Sequence, residues 1–353
     1  MHRREALRAL AAGAAALKAP ALCGASNESP ATRLGIVVYC LAHRIQALRG
    51  QQPSRDVSDP LALLEHCHQL GAGGVQLSLD VRDEAYTRTL RSKAEQYGMF
   101  LEGIVSPPSG PGDVERFDAQ LATAQRAGAG VVRTVIMPGR RYEFFDSAAK
   151  FREYAERGRR ALELAEPVAA KHTVRLAVEN HKDQRVPERL ELLRRLSSPW
   201  IGACVDVGNS FALLEDPLAV VEAYAPWAAS VHLKDQAVQE YQDGFLFGDA
   251  ALGQGFLDLK RMVQILRQAK PDVRFSLEVI TRDPLKVPCL TEKYWATLAD
   301  VPGTDLARTL RIVRAHSQKT LPRVSELPSS ERAEFEEQNI RQSLAYTHTQ
   351  LGL

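Results

Sequence analysis

Four short stretches decide the fold: Leu176-Ala177-Val178-Glu179-Asn180-His181, Ala203-Cys204-Val205-Asp206-Val207-Gly208-Asn209, Ser230-Val231-His232-Leu233-Lys234-Asp235 and Ser276-Leu277-Glu278-Val279-Ile280. Each is an apolar run that closes on one ionisable residue, respectively Glu179, Asp206, His232 and Glu278. Runs whose apolar residues stand back to back, rather than alternating with polar ones, suit strands buried on both faces of a parallel arrangement. Four more such runs precede them, at 34–39, 74–79, 99–105 and 131–136. Between the runs, apolar residues recur at three- and four-residue spacing, the pattern of helices that bury one face. Stretches 60–70, 113–127, 151–171, 187–196, 217–224 and 256–268 read this way, and 304–316 follows the last strand. Asp59-Pro60 and Asp216-Pro217 set an N-cap before a proline at the first helical position, where the missing N–H costs nothing. Eight strand–helix units in one chain predict an α/β fold, a closed (β/α)8 TIM barrel. An open doubly wound sheet would carry a glycine-rich phosphate loop after its first strand; here that position reads Tyr39-Cys40-Leu41-Ala42-His43.

The barrel pattern occupies residues 34–318. The stretch 319–353 carries one more helical pattern, expected to pack outside the barrel or against a second copy in a homo-oligomer. Residues 1–25 are a different material. Arg3-Arg4, an Ala/Leu-rich stretch and small residues near 21–26 follow the order of a bacterial export signal, and the arginine pair resembles the twin-arginine kind. The expectation is export to the periplasm, or a cytoplasmic protein where the signal is not used.

Composition narrows the function classes. The 353 residues are 45% apolar and 25% charged, those of an ordinary globular protein with room for a large core. Lys plus Arg number 45 against 43 Asp plus Glu, a balance that offers no phosphate-tracking surface and argues against a nucleic-acid partner. No apolar run reaches the ~18 residues a membrane span needs. The cysteines Cys23, Cys40, Cys67, Cys204 and Cys289 are odd in number and lack CxxC spacing, so neither a disulfide framework nor a zinc ribbon is read.

In a barrel the C-terminal strand ends converge on one mouth, so four consecutive strands would bring Glu179, Asp206, His232 and Glu278 together. Three carboxylates converging without a cation would raise one another's pKa. One divalent metal, with three oxygen ligands and one imidazole, resolves the repulsion. Such mostly hard donors suit Mn²⁺ or Mg²⁺ and tolerate Co²⁺ or Zn²⁺.

On these residues, and on the segments Val-Glu-Asn-His, Asp-Val-Gly-Asn and His-Leu-Lys-Asp, the chain resembles the xylose isomerase-like TIM barrels, which include sugar phosphate isomerases and ketose epimerases. The resemblance implies one Mn, Mg, Co or sometimes Zn ion on Glu179, Asp206, His232 and Glu278. Two positions depart from the ketose epimerases: Asn209 stands where they usually have His, and Val238 where they carry Arg. The expected activity is a divalent-metal-dependent sugar isomerase or epimerase. A metal holding a substrate carbonyl and the neighbouring hydroxyl stabilises an enediolate, while Glu179 and Glu278 take and return the proton. A metal-dependent lyase is the alternative, either 3-oxo-isoapionate decarboxylase-like or eliminating from a keto-sugar. A non-catalytic sugar-binding barrel would not need the carboxylate set. Abasic-site endonucleases share the barrel but hold several zinc ions with many histidines, where this chain offers one.

The substrate is expected to be a small sugar, keto-sugar or sugar acid. Lys182-Asp183, Lys234-Asp235 and Arg282-Asp283 follow the ligands, either as salt bridges between neighbours or as cations that meet an anionic substrate group. His181, Asn209 and Glu102 are further candidate substrate contacts, the last as a wall of the mouth; His43 and Arg44 follow strand one. Residues 241–255, with Phe245, Phe247 and four glycines, read as a long loop that serves as a lid. Tyr294 and Trp295 read as an apolar wall or as core, and His66 and His68 as exposed.

Overall fold

The computed structural model describes residues 31–48 and 57–353. The export-signal reading of 1–25, with Arg3, Arg4 and Cys23, lies outside the described residues. Among the described residues there are eleven strands: β1 Gly35–Val37, β2 Gly74–Ser78, β3 Phe100–Ile104, β4 Val131–Thr134, β5 Arg175–Glu179, β6 Ile201–Asp206, β7 Ala228–Leu233, β8 Asp235–Tyr241, β9 Gly244–Ala250, β10 Phe275–Leu277 and β11 Leu285–Val287. Eight of them, in the order β1-β10-β7-β6-β5-β4-β3-β2, close into an all-parallel barrel. These are the eight runs read from the sequence, with β10 as the eighth. Their back-to-back apolar residues are buried because one face fills the barrel and the other meets the surrounding helices. The floor is filled by Phe100, whose ring lies where a Cβ on Gly35 or Gly74 would sit, 2.6 and 2.4 Å away.

The helices begin as the Asp-Pro pairs foretell. Asp59 accepts from the Leu61 and Ala62 N–H groups and caps Pro60–Gln69; Asp216 accepts from Leu218 and Ala219 and caps Pro217–Tyr224. His66 is buried, contrary to the exposed reading, whereas His68 is exposed and stacks on Tyr97 at 3.8 Å.

Residues 241–255 correct the sequence reading. They are not an irregular lid: β8 and β9 form an antiparallel hairpin around Gln242-Asp243, and β11 extends it to a three-stranded sheet. Its apolar face, Val238, Phe245 and Phe247, packs on Phe211 and Tyr294 in a second core beside the barrel mouth. Val238, the position of the epimerases' Arg, is wholly within that core. Tyr294 belongs to the same core and donates its hydroxyl to the Ala212 carbonyl at 2.8 Å, so it is core rather than substrate wall.

The tail helix Ser329–Tyr346 docks on the barrel, and Ile340, Leu344, Leu351 and Leu353 join the main core. Its buried Glu336 accepts the backbone N–H groups of His43 (2.8 Å) and Arg44 (3.0 Å), just beyond β1. His43 thus serves the tail contact, and its ring lies 2.9 Å from the Thr281 carbonyl. Burial pushes the Glu336 carboxyl up to about 7. A carboxyl raised on folding contributes stability below its ordinary value of 4.5, and that contribution is lost as pH rises through about 7. Glu336→Gln is therefore expected to flatten the rise in melting temperature between pH 8 and pH 5; an unchanged pH profile would remove Glu336 as its source.

Candidate metal and active site

Glu179 ends β5, Asp206 ends β6, His232 lies in β7 and Glu278 follows β10 by one residue. Each offers a ligand atom, and the four atoms lie within 4.8 Å of one another, all in buried residues. Parallel strands of a closed barrel aim their C-terminal ends at one point, which is why residues a hundred apart in sequence meet here.

The imidazole is oriented from below. The Ser230 hydroxyl and the Gln76 amide nitrogen both donate to Glu102 Oε2, at 2.7 and 2.9 Å. That fixes the Gln76 amide with its oxygen toward His232, which donates from Nε2 at 2.8 Å. His232 Nδ1 then faces Glu278 Oε1 (3.4 Å), Glu179 Oε2 (3.6 Å) and Asp206 Oδ2 (4.0 Å) with no hydrogen-bond partner. Against the cost of burial, the neighbouring acidic groups push the His232 imidazole well above its ordinary value. An imidazole nitrogen aimed at three carboxylates is a donor set that fits a divalent cation, its ring held by an outer partner as metal-bound histidines usually are. Glu102 is thereby relocated: it is fully buried in the barrel interior as the foot of this chain, not on the mouth wall. Burial raises its carboxyl.

The carboxylates are held individually. Arg133 from β4 pairs with Glu179 Oε2, while Asn209 donates to Glu179 Oε1 at 3.0 Å. The Arg133 guanidinium, against the cost of burial, holds the Glu179 carboxyl down at about 2. Asp206 Oδ1 accepts the Gly208 and Asn209 N–H groups, and the Asn180 side chain bonds both the N–H and the carbonyl of Asp206. Lys234 Nζ bridges Asp206 Oδ2 (2.8 Å) and Glu278 Oε2 (2.6 Å), and with His232 it holds the Glu278 carboxyl well below its ordinary range despite burial. Glu278 is 3% exposed and Glu179 is fully buried.

The lysine–aspartate pairs do not bridge to their neighbours. Asp183 pairs with the buried Arg189 at 2.6 Å, and Arg282 with Asp249 at 3.3 Å. Asp283 accepts from Ser325, and Asp235 accepts the backbone N–H groups of Gln236, Gly253, Gly255 and Leu257. Lys182 donates to Asn209 Oδ1, to which Lys234 also comes within 3.4 Å. His181 is partly exposed at the mouth, and its backbone N–H is held by Asp183 Oδ1 at 3.1 Å. Arg282 and Asp249 line a cavity of about 180 Å³ together with Thr281 and, from the tail helix, Asn339. Sequence reading missed Gln76, Arg133, Asn180 and Ser230. Gln76 and Arg133 carried a signal, a polar side chain inside a run otherwise buried on both faces.

The family model for the xylose isomerase-like TIM barrel matches residues 64–301. A 3-oxo-isoapionate decarboxylase of Pectobacterium atrosepticum is 25% identical over 238 residues, 64% of this chain and 80% of that protein. Among solved structures, a D-psicose 3-epimerase crystallised in the presence of D-fructose superposes with a TM-score of 0.57 at 12% identity, covering 91% of this chain and all of that one. A sugar phosphate isomerase/epimerase from Parabacteroides distasonis gives 0.51 at 12% identity, covering 94% and 99%. The structural likenesses share the closed barrel with this chain. The barrel order and the span of the family match together place the chain in the xylose isomerase-like TIM barrel family.

Proposed function

We propose that the chain is a divalent-metal-dependent enzyme that moves a proton at the carbon beside a sugar carbonyl, an isomerase or epimerase. The observation that carries this reading is the partnerless His232 Nδ1, locked by Gln76 and Glu102 to face three carboxylates. Glu179, Asp206, His232 and Glu278 would hold one Mn²⁺, Mg²⁺ or Co²⁺, or Zn²⁺. A divalent ion there supplies Lewis-acid polarisation of a carbonyl and its neighbouring hydroxyl. Of Glu278 and Glu179, one takes the proton from carbon and the other, which must first have drawn a proton from solvent, returns one. Arg133 and Asn209 fix Glu179 on both oxygens, so it acts with little freedom to reorient. Return to the same carbon from the other face epimerises, and return to the next carbon isomerises.

A second reading is loss of CO2 from a keto-sugar acid. It is favoured by the relative named as a decarboxylase, matched over 80% of its length, and by Asn209 and Val238 at the positions where the epimerases differ. Both reactions put negative charge on the carbon next to the carbonyl, so one metal centre serves either.

Proton NMR in D2O with candidate keto-sugars and keto-sugar acids separates the two. Deuterium at the carbon beside the carbonyl with no gas released is expected for the first reading; CO2 release with no exchange in unreacted substrate selects the second. Turnover that persists undiminished after removal of all divalent metal would overturn both.

A further inference from the structure

Three cationic side chains follow the ligand strands, and two of them are already committed. Lys234 is spent on Asp206 and Glu278, and Arg282 on Asp249. Lys182 differs. It is 4% exposed, and the polar partner the structure gives its ammonium is the neutral Asn209 Oδ1. Its backbone is left-handed, with φ +52°, and its carbonyl is held by the Arg141 N–H at 3.0 Å, which fixes the root of the side chain. A buried charge without a counter-ion is costly unless a partner arrives to meet it.

The place where that partner would arrive is defined by Asn209. Its Nδ2 donates to Glu179 while its Oδ1 receives Lys182 and Lys234, so the Lys182 ammonium stands one amide away from the ligand cluster. The cluster does not need its charge. Three carboxylates face Arg133, Lys234 and, on the reading proposed above, a divalent ion, three negative charges against four positive, so Lys182 adds to a positive surplus. At Lys182 itself one ammonium is matched by one carboxylate, whereas a phosphate monoester brings nearly two negative charges to it.

We infer that Lys182 receives a carboxylate of the substrate, which makes the substrate a sugar acid rather than a neutral sugar. This rests on reading the four-residue cluster as the reaction centre. It distinguishes Lys182 as the specificity-determining cation among the three, and it applies equally to an isomerised or a decarboxylated sugar acid.

The test uses unreactive probes of matched length: D-gluconate, D-glucitol and D-glucitol 6-phosphate, with L-threonate and L-threitol as the four-carbon pair. Each is titrated calorimetrically into the full chain, once loaded with Mn²⁺ and once stripped with EDTA. In the wild-type protein at least one acid is expected to bind tenfold or more tightly than its polyol. Lys182→Met should erase that difference with the polyol affinity and Mn²⁺ content unchanged; Lys182→Arg, which keeps the charge, should retain part of it. Melting curves identify any variant that has failed to fold, and Lys182→Arg then carries the comparison with wild type by a weakened preference. Equal affinity for acid and polyol, no binding of either acid, or an acid preference that survives Lys182→Met overturns the inference. Tighter, Lys182-dependent binding of the phosphate ester also overturns it and makes the anion a phosphate. An acid preference that depends on Lys182 in a protein holding no Mn²⁺ leaves the inference standing and removes the metal reading instead.

Discussion

Glu179→Gln, Asp206→Asn, His232→Ala and Glu278→Gln are each expected to strip or strongly weaken one divalent ion per chain. Turnover should fall by about 10³-fold or more in each, since Lewis-acid stabilisation of developing charge is worth several kcal/mol and each ~1.4 kcal/mol is tenfold in rate. The reason lies in the donor set. The four candidate ligand atoms lie within 4.8 Å of one another, so each variant takes one charged carboxylate or the imidazole out of the cluster. The amide variants are nearly isosteric and leave Arg133, Asn209 and Lys234 in place. His232→Ala also leaves the Gln76 amide oxygen without its donor. Elemental analysis of the purified variants decides the matter, with melting curves alongside; unchanged occupancy in any two of the four would remove the site.

The second large effect is on stability. Asp235→Ala is expected to cost about 4 kcal/mol of unfolding free energy. The Asp235 carboxylate accepts four backbone N–H groups, those of Gln236, Gly253 and Gly255 at 2.9 Å and Leu257 at 3.2 Å. It ties the start of β8 to the chain that returns after β9, and a Cβ on Gly255 would lie 2.2 Å from its Oδ1. Each backbone donor orphaned in a buried setting costs roughly 1–3 kcal/mol, less where water can refill the space. Burial raises the Asp235 carboxyl while these donors oppose the rise. Asp235→Asn keeps one accepting oxygen and should lose about half as much. Urea unfolding measures both, and a change within about 0.5 kcal/mol for the alanine variant would show that the N–H groups find other partners.

The interest of the site lies in how little of it is free. Arg133, Asn209, Lys234, Asn180 and the Ser230–Glu102–Gln76 chain each hold a ligand residue in one orientation. Preorganisation of this kind lets charge that develops in a reaction meet fixed partners without reorganisation cost. Lys182, a buried cation whose ammonium meets the Asn209 amide oxygen, is on the inference drawn above the place where such a centre would admit its substrate's own charge.

The eight barrel strands and their surrounding helices were legible in the chain because the information is local. A strand buried on both faces must be apolar at successive positions, and an Asp-Pro pair caps a helix through its own next residues. The four cluster residues were legible for a related reason: each is the single ionisable residue that closes an apolar run, and barrel closure brings such ends together whatever their spacing in sequence. Arg133 and Gln76 sat in view as polar residues within buried runs, but their partners did not. The Gln76–His232 bond joins residues 156 apart, and no local pattern specifies such a pairing. The hairpin of β8 and β9 escaped because its glycines and charges read as loop; it is a sheet because Val238, Phe245 and Phe247 find Phe211 and Tyr294. Likewise the sequence put Lys182, Lys234 and Arg282 on one footing, and only the folded chain separated them. By itself the sequence determined the barrel and the identity of the converging donors, since burial and periodicity act on neighbouring residues. Which cation is neutralised, which imidazole nitrogen faces the carboxylates and where the tail docks were decided by tertiary structure, because each is a contact between strands or helices distant along the chain.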